Sequence, residues 1–260
     1  MPKYTYFGKF LITRNIAMKI LAYPLSILHY VVLSSLLLIF HPLQWISIHF
    51  LGRKTHKNLV DFLNILIIKS LLITGNRVKF SFEVPLPKNT PLIFAANHQS
   101  IYDIPPLIWY LRKYSVRFVG KKELGNGTPS ITINLRHNGS VLIDRSRPQD
   151  AIPQLEEFGK SLQQNKDSGL IFPEGTRSRG NTPKQFKTKG LEAIMKNMPD
   201  GYIVPITINN SWKILKYGSF PVGIGNKISF YVHKPIKIEV ENIQNQIAEV
   251  EKIIISRIEK

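Results

Sequence analysis

Apolar residues fill the first part of the chain almost without interruption and then break into short runs. Between Ile20 and Gly52 there is no Asp, Glu, Lys or Arg, and residues 27–40 (ILHYVVLSSLLLIF) are nearly all apolar. Pro24 and Pro42 bracket about 17 residues, at the short end of the roughly 20 that a bilayer span requires. A second apolar stretch, 59–73, carries Asp61 and Lys69 and reads as an interfacial helix. After Gly75 and Asn76, a turn signal, the pattern changes. Residues 78–84 (VKFSFEV) alternate with period two, as a half-exposed strand does. Residues 92–96, 116–120, 140–144, 169–172 and 203–208 are short apolar runs closed by polar residues or Gly, the pattern of buried strands. Residues 227–232 and 236–240 form a more alternating C-terminal pair. Between them, helices are predicted over 105–113, 148–165, 189–198 and 242–260.

This order predicts an α/β fold: a mixed, largely parallel central sheet flanked by helices, preceded by an N-terminal hydrophobic helical membrane anchor. Residues 1–75 read as a basic leader plus anchoring helices, and residues 76–260 as one α/β domain. The formal charge of +18 attracts polyanions, whether nucleic acid, anionic lipid or phosphorylated substrate. The apolar N-terminal region selects lipid among these, and no usual nucleic-acid-binding motif is present. Lys3, Lys9, Arg14 and Lys19 precede the apolar run without an acidic residue, which favours the cytoplasmic face of a membrane. The apolar run starts too late for a signal peptide, and no A-x-A-like site follows it. Cysteine is absent, which removes disulfides, thiolate nucleophiles and Cys-based metal sites.

Two polar clusters follow predicted strands, where α/β sheets gather ligands. The first is Asn97-His98-Gln99-Ser100-Ile101-Tyr102-Asp103. On a straight helix the side chains of His98 and Asp103 would diverge by about 140°, since each residue turns roughly 100°. They meet only if the segment bends, and a strand-to-helix turn with Pro105 and Pro106 in the first helical turn supplies that bend. A carboxylate on one imidazole nitrogen fixes the tautomer and leaves the other free to take a proton from a hydroxyl. The second cluster, residues 172–179 (FPEGTRSR), places Gly175 for close backbone approach, Thr176 as a hydroxyl and Arg177 as a planar fork suited to phosphate. His29, His41, His49 and His56 have no matching carboxylates and read as interfacial or packing residues, while His137 and His233 show no partner pattern. The basic stretches 184–189 and 213–216 read as solvated or lipid-facing, with Trp212 an interface anchor.

N-H-Q-S-x-x-D followed by F-P-E-G-T-R-S resembles the glycerolipid acyltransferase family that includes 1-acyl-glycerol-3-phosphate acyltransferases. Residues 119–124 (VGKKEL), Pro129 and residues 139–145 (GSVLIDR) resemble a second block of that family, and residues 204–208 (VPITI) a fourth. The resemblance implies His98 as general base with Asp103 as its orienting partner. It implies that Glu174, Gly175, Thr176 and Arg177 bind the acceptor, that Lys121 is a second cationic contact to its phosphate, and that Pro205 shapes a pocket wall. It further implies an acyl-CoA or acyl-carrier-protein thioester as donor, a lysophospholipid as acceptor, anionic membrane lipid as surroundings, and neither metal nor other cofactor. The chain departs from the family at Gly125-Asn126-Gly127-Thr128, at Thr132 where Gly is usual, and at Phe186-Lys187-Thr188-Lys189-Gly190, which carries an extra residue. These positions bear on substrate identity more than on reaction type. Competing expectations are acylation of another lysophospholipid, glycerol 3-phosphate or a lyso-aminolipid, or a basic binding protein without catalysis.

Overall fold

The computed structural model describes residues 3–144, 146–178 and 180–259, without the side chains of residues 3–15 and 148. Arg145 and Arg179, which close two of the motif blocks, lie outside the described residues, as do the side chains of Lys3, Lys9 and Arg14.

The chain opens with one helix, α1 (Lys3–Ile46), of 44 residues. Pro24 and Pro42 lie inside it rather than bounding a shorter segment. Each proline removes one backbone donor, and packing against the rest of the protein holds the helix through both. A π-helical turn (Ser47–Leu51) and Gly52, at φ +83°, reverse the chain into α2 (Arg53–Ser70). Over residues 16–51 the leading helix is long and apolar enough to cross a bilayer by length and composition. One side exposes Ile20 (64 %), Val31 (58 %), Leu38 (62 %) and Ile39 (58 %), far more apolar surface than a water-facing helix carries. The opposite side buries Ala22, Ser26, His29, Phe40, Gln44 and Ser47. Phe40 closes a small cluster with Leu63 and Ile67 of α2.

The α/β part runs β1 (Arg77–Phe82), β2 (Leu92–Ala96), α3 (Ile104–Tyr110), β3 (Val116–Lys121), α4 (Ile131–His137), β4 (Val141–Ile143) and α5 (Pro148–Asn165). It continues through β5 (Ser168–Ile171), α6 (Thr188–Lys196), β6 (Tyr202–Asn209), β7 (Lys227–Val232), β8 (Ile236–Lys237) and α7 (Ile243–Ser256). The sheet order is β1-β7-β6-β2-β5-β3-β4, with β8 also on β6. All pairings are parallel except β6 with β7 and β6 with β8, so the mixed, largely parallel sheet expected from the pattern is present. The last two strands do not pair with each other. They line up along one side of β6, interrupted at residues 233–235, where His233 N–H donates to the Pro205 carbonyl at 2.9 Å.

The period-two rule explains the two cores. From β2, Leu92, Phe94 and Ala96 face one side of the sheet with Leu107 and Leu111, while Ile93 and Ala95 face the other with Leu155, Phe158, Leu162, Ile194 and Ile247. Each Leu, Ile or Phe among them, fully buried, contributes about 1.5–3 kcal/mol. The central strand is therefore held from both faces, and its carboxyl end is a rigid platform. Helix α4 was not expected from ITINLRH, which is rich in β-branched residues and Asn. Tertiary contacts place it: Ser130, at φ +62°, donates its hydroxyl to the Leu37 carbonyl at 2.8 Å and its N–H to His41 Nδ1 at 3.0 Å.

Candidate active site

The site begins where β2 stops. Asn97 is fully buried, and its side-chain amide takes the place of a further strand residue. It donates to the Ile208 carbonyl at 2.8 Å and accepts from the Ile208 N–H at 2.7 Å. With β6 satisfied in this way, the chain can leave the sheet at His98. Ser100 then caps a 3-10 turn (Ile101–Asp103), accepting the Tyr102 N–H at 3.2 Å, and α3 follows with Pro105 and Pro106 at its start.

This bend brings His98 and Asp103 together. His98 Nδ1 lies 2.8 Å from Asp103 Oδ2, and the same oxygen accepts the Gln99 N–H at 2.7 Å and the Ser100 N–H at 2.9 Å. Asp103 is wholly buried. A carboxylate oxygen offers only lone pairs, so Nδ1 carries the proton and Nε2 keeps its own lone pair. The imidazole also lies flat on Phe172, with centroids 4.0 Å apart and planes 19° apart. Held at one edge and one face, the ring presents Nε2 with no hydrogen bond from the described residues, and its side chain is 15 % exposed.

The second cluster follows β5, the neighbour of β2. Glu174 turns inward, 1 % exposed, and its Oε1 accepts the His98 N–H at 2.8 Å while Oε2 accepts the Lys184 N–H at 3.0 Å. Burial pushes its carboxyl above the usual range, partly offset by those two backbone donors. Gly175 sits at φ +69°, a conformation that costs other residues about 1–2 kcal/mol. Ser178 closes the turn by donating its N–H at 2.7 Å and its hydroxyl at 3.1 Å to the His98 carbonyl. The backbone of His98 is thus gripped on both sides by the second turn. Thr176 and Arg177, between these anchors, are exposed, and Arg177 has no ion pair among the described residues.

Strand order places the remaining expected residue at the same edge. Lys121 ends β3, which pairs with β5 in parallel, so His98, the 174–177 turn and Lys121 follow three adjacent strands at their carboxyl ends. Its ammonium is half-exposed and lies 2.8 Å from Glu123 Oε1. Both Glu174 carboxylate oxygens accept backbone N–H groups, a structural role that the resemblance did not imply. Pro205 is buried in β6, opposite Ala95, and belongs to the sheet. Trp212 donates its indole N–H to Asn181 Oδ1 at 2.6 Å. His233 does have partners, with Nε2 2.8 Å from the Thr207 hydroxyl and Nδ1 3.6 Å from Glu83.

Sequence reasoning missed His29. Fully buried on α1, it bonds through Nε2 to the Tyr102 hydroxyl at 3.0 Å and through Nδ1 to the Ser70 carbonyl at 3.2 Å. Tyr102 lies inside the His98–Asp103 turn, so the leading helix touches that turn directly. A partner 73 residues away leaves no local signal. Among the described residues no group of three or more His, Asp or Glu converges as metal ligands.

A family model described as Acyltransferase matches residues 77–209, half of the chain. The chain is 31% identical over 179 residues to the 1-acyl-sn-glycerol-3-phosphate acyltransferase of Saccharomyces cerevisiae, covering 65% of this chain and 54% of the yeast protein. It is 27% identical over 152 residues to the 1-acyl-sn-glycerol-3-phosphate acyltransferase alpha of Mus musculus, covering 58% of this chain and 52% of the mouse protein. The chain therefore spans about half the length of these curated relatives. Its fold is similar to that of the 1-acyl-sn-glycerophosphate (LPA) acyltransferase of Thermotoga maritima, with a TM-score of 0.74 at 20% identity over 93% of this chain and 96% of that one.

Proposed function

The chain belongs to the acyltransferase family, and from that premise we propose that it moves a fatty acyl group from an acyl-CoA or acyl-carrier-protein thioester to the free hydroxyl of 1-acyl-glycerol 3-phosphate, giving phosphatidic acid. The observation that carries this reading is the 2.8 Å contact of His98 Nδ1 with a wholly buried carboxylate, beside a turn that carries an exposed arginine. The curated relatives named for this reaction support the choice of acceptor.

His98 Nε2 takes the proton of the acceptor hydroxyl as that oxygen attacks the thioester carbonyl. The new C–O bond forms, the C–S bond breaks, and the imidazolium returns its proton to the departing thiolate. Asp103 stabilises the imidazolium and holds its tautomer, and a base positioned in this way contributes about 10²–10⁴-fold. Arg177 offers its fork to the acceptor phosphate, with Lys121 as a second cation that leaves Glu123 when the phosphate arrives. Gly175 and Thr176 shape the approach, while Glu174 holds the base through the backbone instead of touching the acceptor. The apolar surface of α1 associates the protein with a membrane, and the basic leader favours the cytoplasmic face, among anionic lipids.

Product analysis by mass spectrometry tests this, using full-chain protein in detergent with acyl-CoA or acyl-carrier-protein thioesters. The acceptor panel contains lysophosphatidic acid, other lysophospholipids, glycerol 3-phosphate and a lyso-aminolipid. Phosphatidic acid is the expected product. Lysophosphatidic acid left unmodified while another acceptor is acylated would overturn the choice of acceptor.

A further inference from the structure

A cavity of about 470 Å³ opens at the other end of β3, between α2, the end of α3 and α4. It shares no residue with the site built on His98, Lys121 and residues 174–177. Its volume falls within the range of small-ligand sites, about 300–1,000 Å³.

The lining is strongly cationic. Arg53, Lys57, Arg112, Arg117 and Arg136 line it with Asp61 and Asp167, five basic side chains against two carboxylates. Both carboxylates are taken: Lys57 Nζ lies 2.6 Å from Asp61, and Arg117 pairs with Asp167. Arg53, Arg112 and Arg136 have no ion-pair partner among the described residues. Arg112 Cζ lies 4.0 Å from the Trp109 ring centroid and its Nη1 donates to the Trp109 carbonyl at 2.8 Å, and Arg136 is fixed by bonds to the Gly125 carbonyl at 2.9 Å and Asn126 Oδ1 at 2.8 Å. The two forks are thus ordered without being neutralised. The amino end of α2, which bears Arg53, adds to the field, with no carboxylate in its first turn and no side-chain cap.

His56 points to a ligand independently of the charge. It lines the cavity, is 3 % exposed, and its Nε2 is buried with no hydrogen-bond partner among the described residues. A buried ring nitrogen left unpaired costs about 1–3 kcal/mol, so such atoms normally have a partner. Burial pushes its imidazolium down, and His137 beside it acts in the same direction. The neutral ring can still donate one N–H to an anionic oxygen.

The geometry points to a second anion site in this cavity, one that binds a phosphate group through the Arg53 and Arg136 forks and His56 Nε2. The phosphate is carried either by a phospholipid headgroup entering beside α2 or by a free phosphate from solution. Both sources present the same tetrahedral, multiply accepting group, which suits planar guanidinium donors.

Isothermal titration of full-chain protein in nonionic detergent, at constant ionic strength set with chloride, tests this. The probes are inorganic phosphate and monomeric dihexanoyl phosphatidylglycerol. Saturable binding is expected for at least one probe, with Kd raised at least tenfold in the Arg53→Gln/Arg136→Gln variant. Arg177→Ala should leave Kd within about twofold, which separates this site from the proposed acceptor subsite. His56→Phe keeps the bulk but removes the donor, and it too should weaken binding. Tighter binding of the lipid assigns a headgroup, and equal or tighter binding of inorganic phosphate assigns a free ligand. The site is refuted if neither probe saturates, if the double variant binds like the wild type, or if Arg177→Ala abolishes binding.

Discussion

Asp103→Asn isolates the charge of the carboxylate while keeping its shape. In the native turn three N–H groups converge on Asp103 Oδ2, from His98 Nδ1, Gln99 and Ser100. An asparagine oxygen at that position can accept the same three bonds, but each changes from charge-assisted to neutral. For the two backbone donors this costs about 1 kcal/mol each, or about 2 kcal/mol of stability. In the proposed mechanism the larger effect falls on the imidazolium that forms as the acceptor loses its proton. Opposite charges about 4 Å apart at an effective dielectric constant near 20 attract by about 4 kcal/mol. Losing that attraction in the transition state lowers kcat by about 10³-fold. KM for the acceptor should stay within about threefold, because the buried carboxylate does not face the substrate. Release of free thiol from an acyl-CoA donor, measured at saturating acceptor, reads kcat, and a denaturant titration reads the stability loss. A folded Asp103→Asn variant with kcat within threefold of wild type would refute the role given to this pair.

Three further outcomes follow from the geometry. Arg177→Ala should raise KM for phosphate-bearing acceptors roughly 10- to 100-fold, the equivalent of one charge-assisted contact of about 1.5–3 kcal/mol, with kcat little changed. An unchanged KM would make that side chain structural. Burial holds the Glu174 carboxyl above its ordinary range, so its contribution to stability is complete below the unfolded value of about 4.3 and is lost as pH rises through the folded value. Unfolding free energies of wild type minus Glu174→Gln should therefore fall with rising pH across that interval, and a rising difference would contradict the assignment. Tyr102→Phe removes the hydroxyl that lies 3.0 Å from His29 Nε2, leaving a buried ring nitrogen unpaired. The midpoint of denaturation should drop by the equivalent of about 1–3 kcal/mol, and an unchanged midpoint would show that the contact carries no weight.

Much of this could be read from residue order. The central strand β2 falls at the expected 92–96 because alternation there serves two buried faces, and β7 falls at 227–232 because it alternates between burial and exposure. The spacing from His98 to Asp103 required a bend, and the bend is present. Helix α4 was invisible because Ser130, the residue just before it, is held by Leu37 and His41, about 90 positions earlier in the chain. The inward turn of Glu174 was invisible for a related reason. The resemblance implies a substrate contact there, and nothing local in the chain signals the backbone N–H 76 positions away that also points at it. The buried, bonded state of His29 belongs to the same class, because periodicity reports which face is apolar and not which polar atom meets another.

The packed side of α1 limits how the protein can sit in lipid. Its buried residues run from Ala22 to Ser47 if the following turn is included, about 38 Å of helix at 1.5 Å per residue. Along that length it meets irregular backbone: the Val222 N–H donates to the Ser26 hydroxyl at 2.9 Å, and Tyr30 donates to the Ser219 carbonyl at 2.5 Å. Standing the helix upright would carry those loops into hydrocarbon, where exposed peptide groups cost several kcal/mol apiece. The same contacts are tolerated when the helix reclines in a single leaflet with its bare flank downward. A reclining helix would keep the His98–Asp103 turn at the depth of the headgroups, where a lipid hydroxyl already resides.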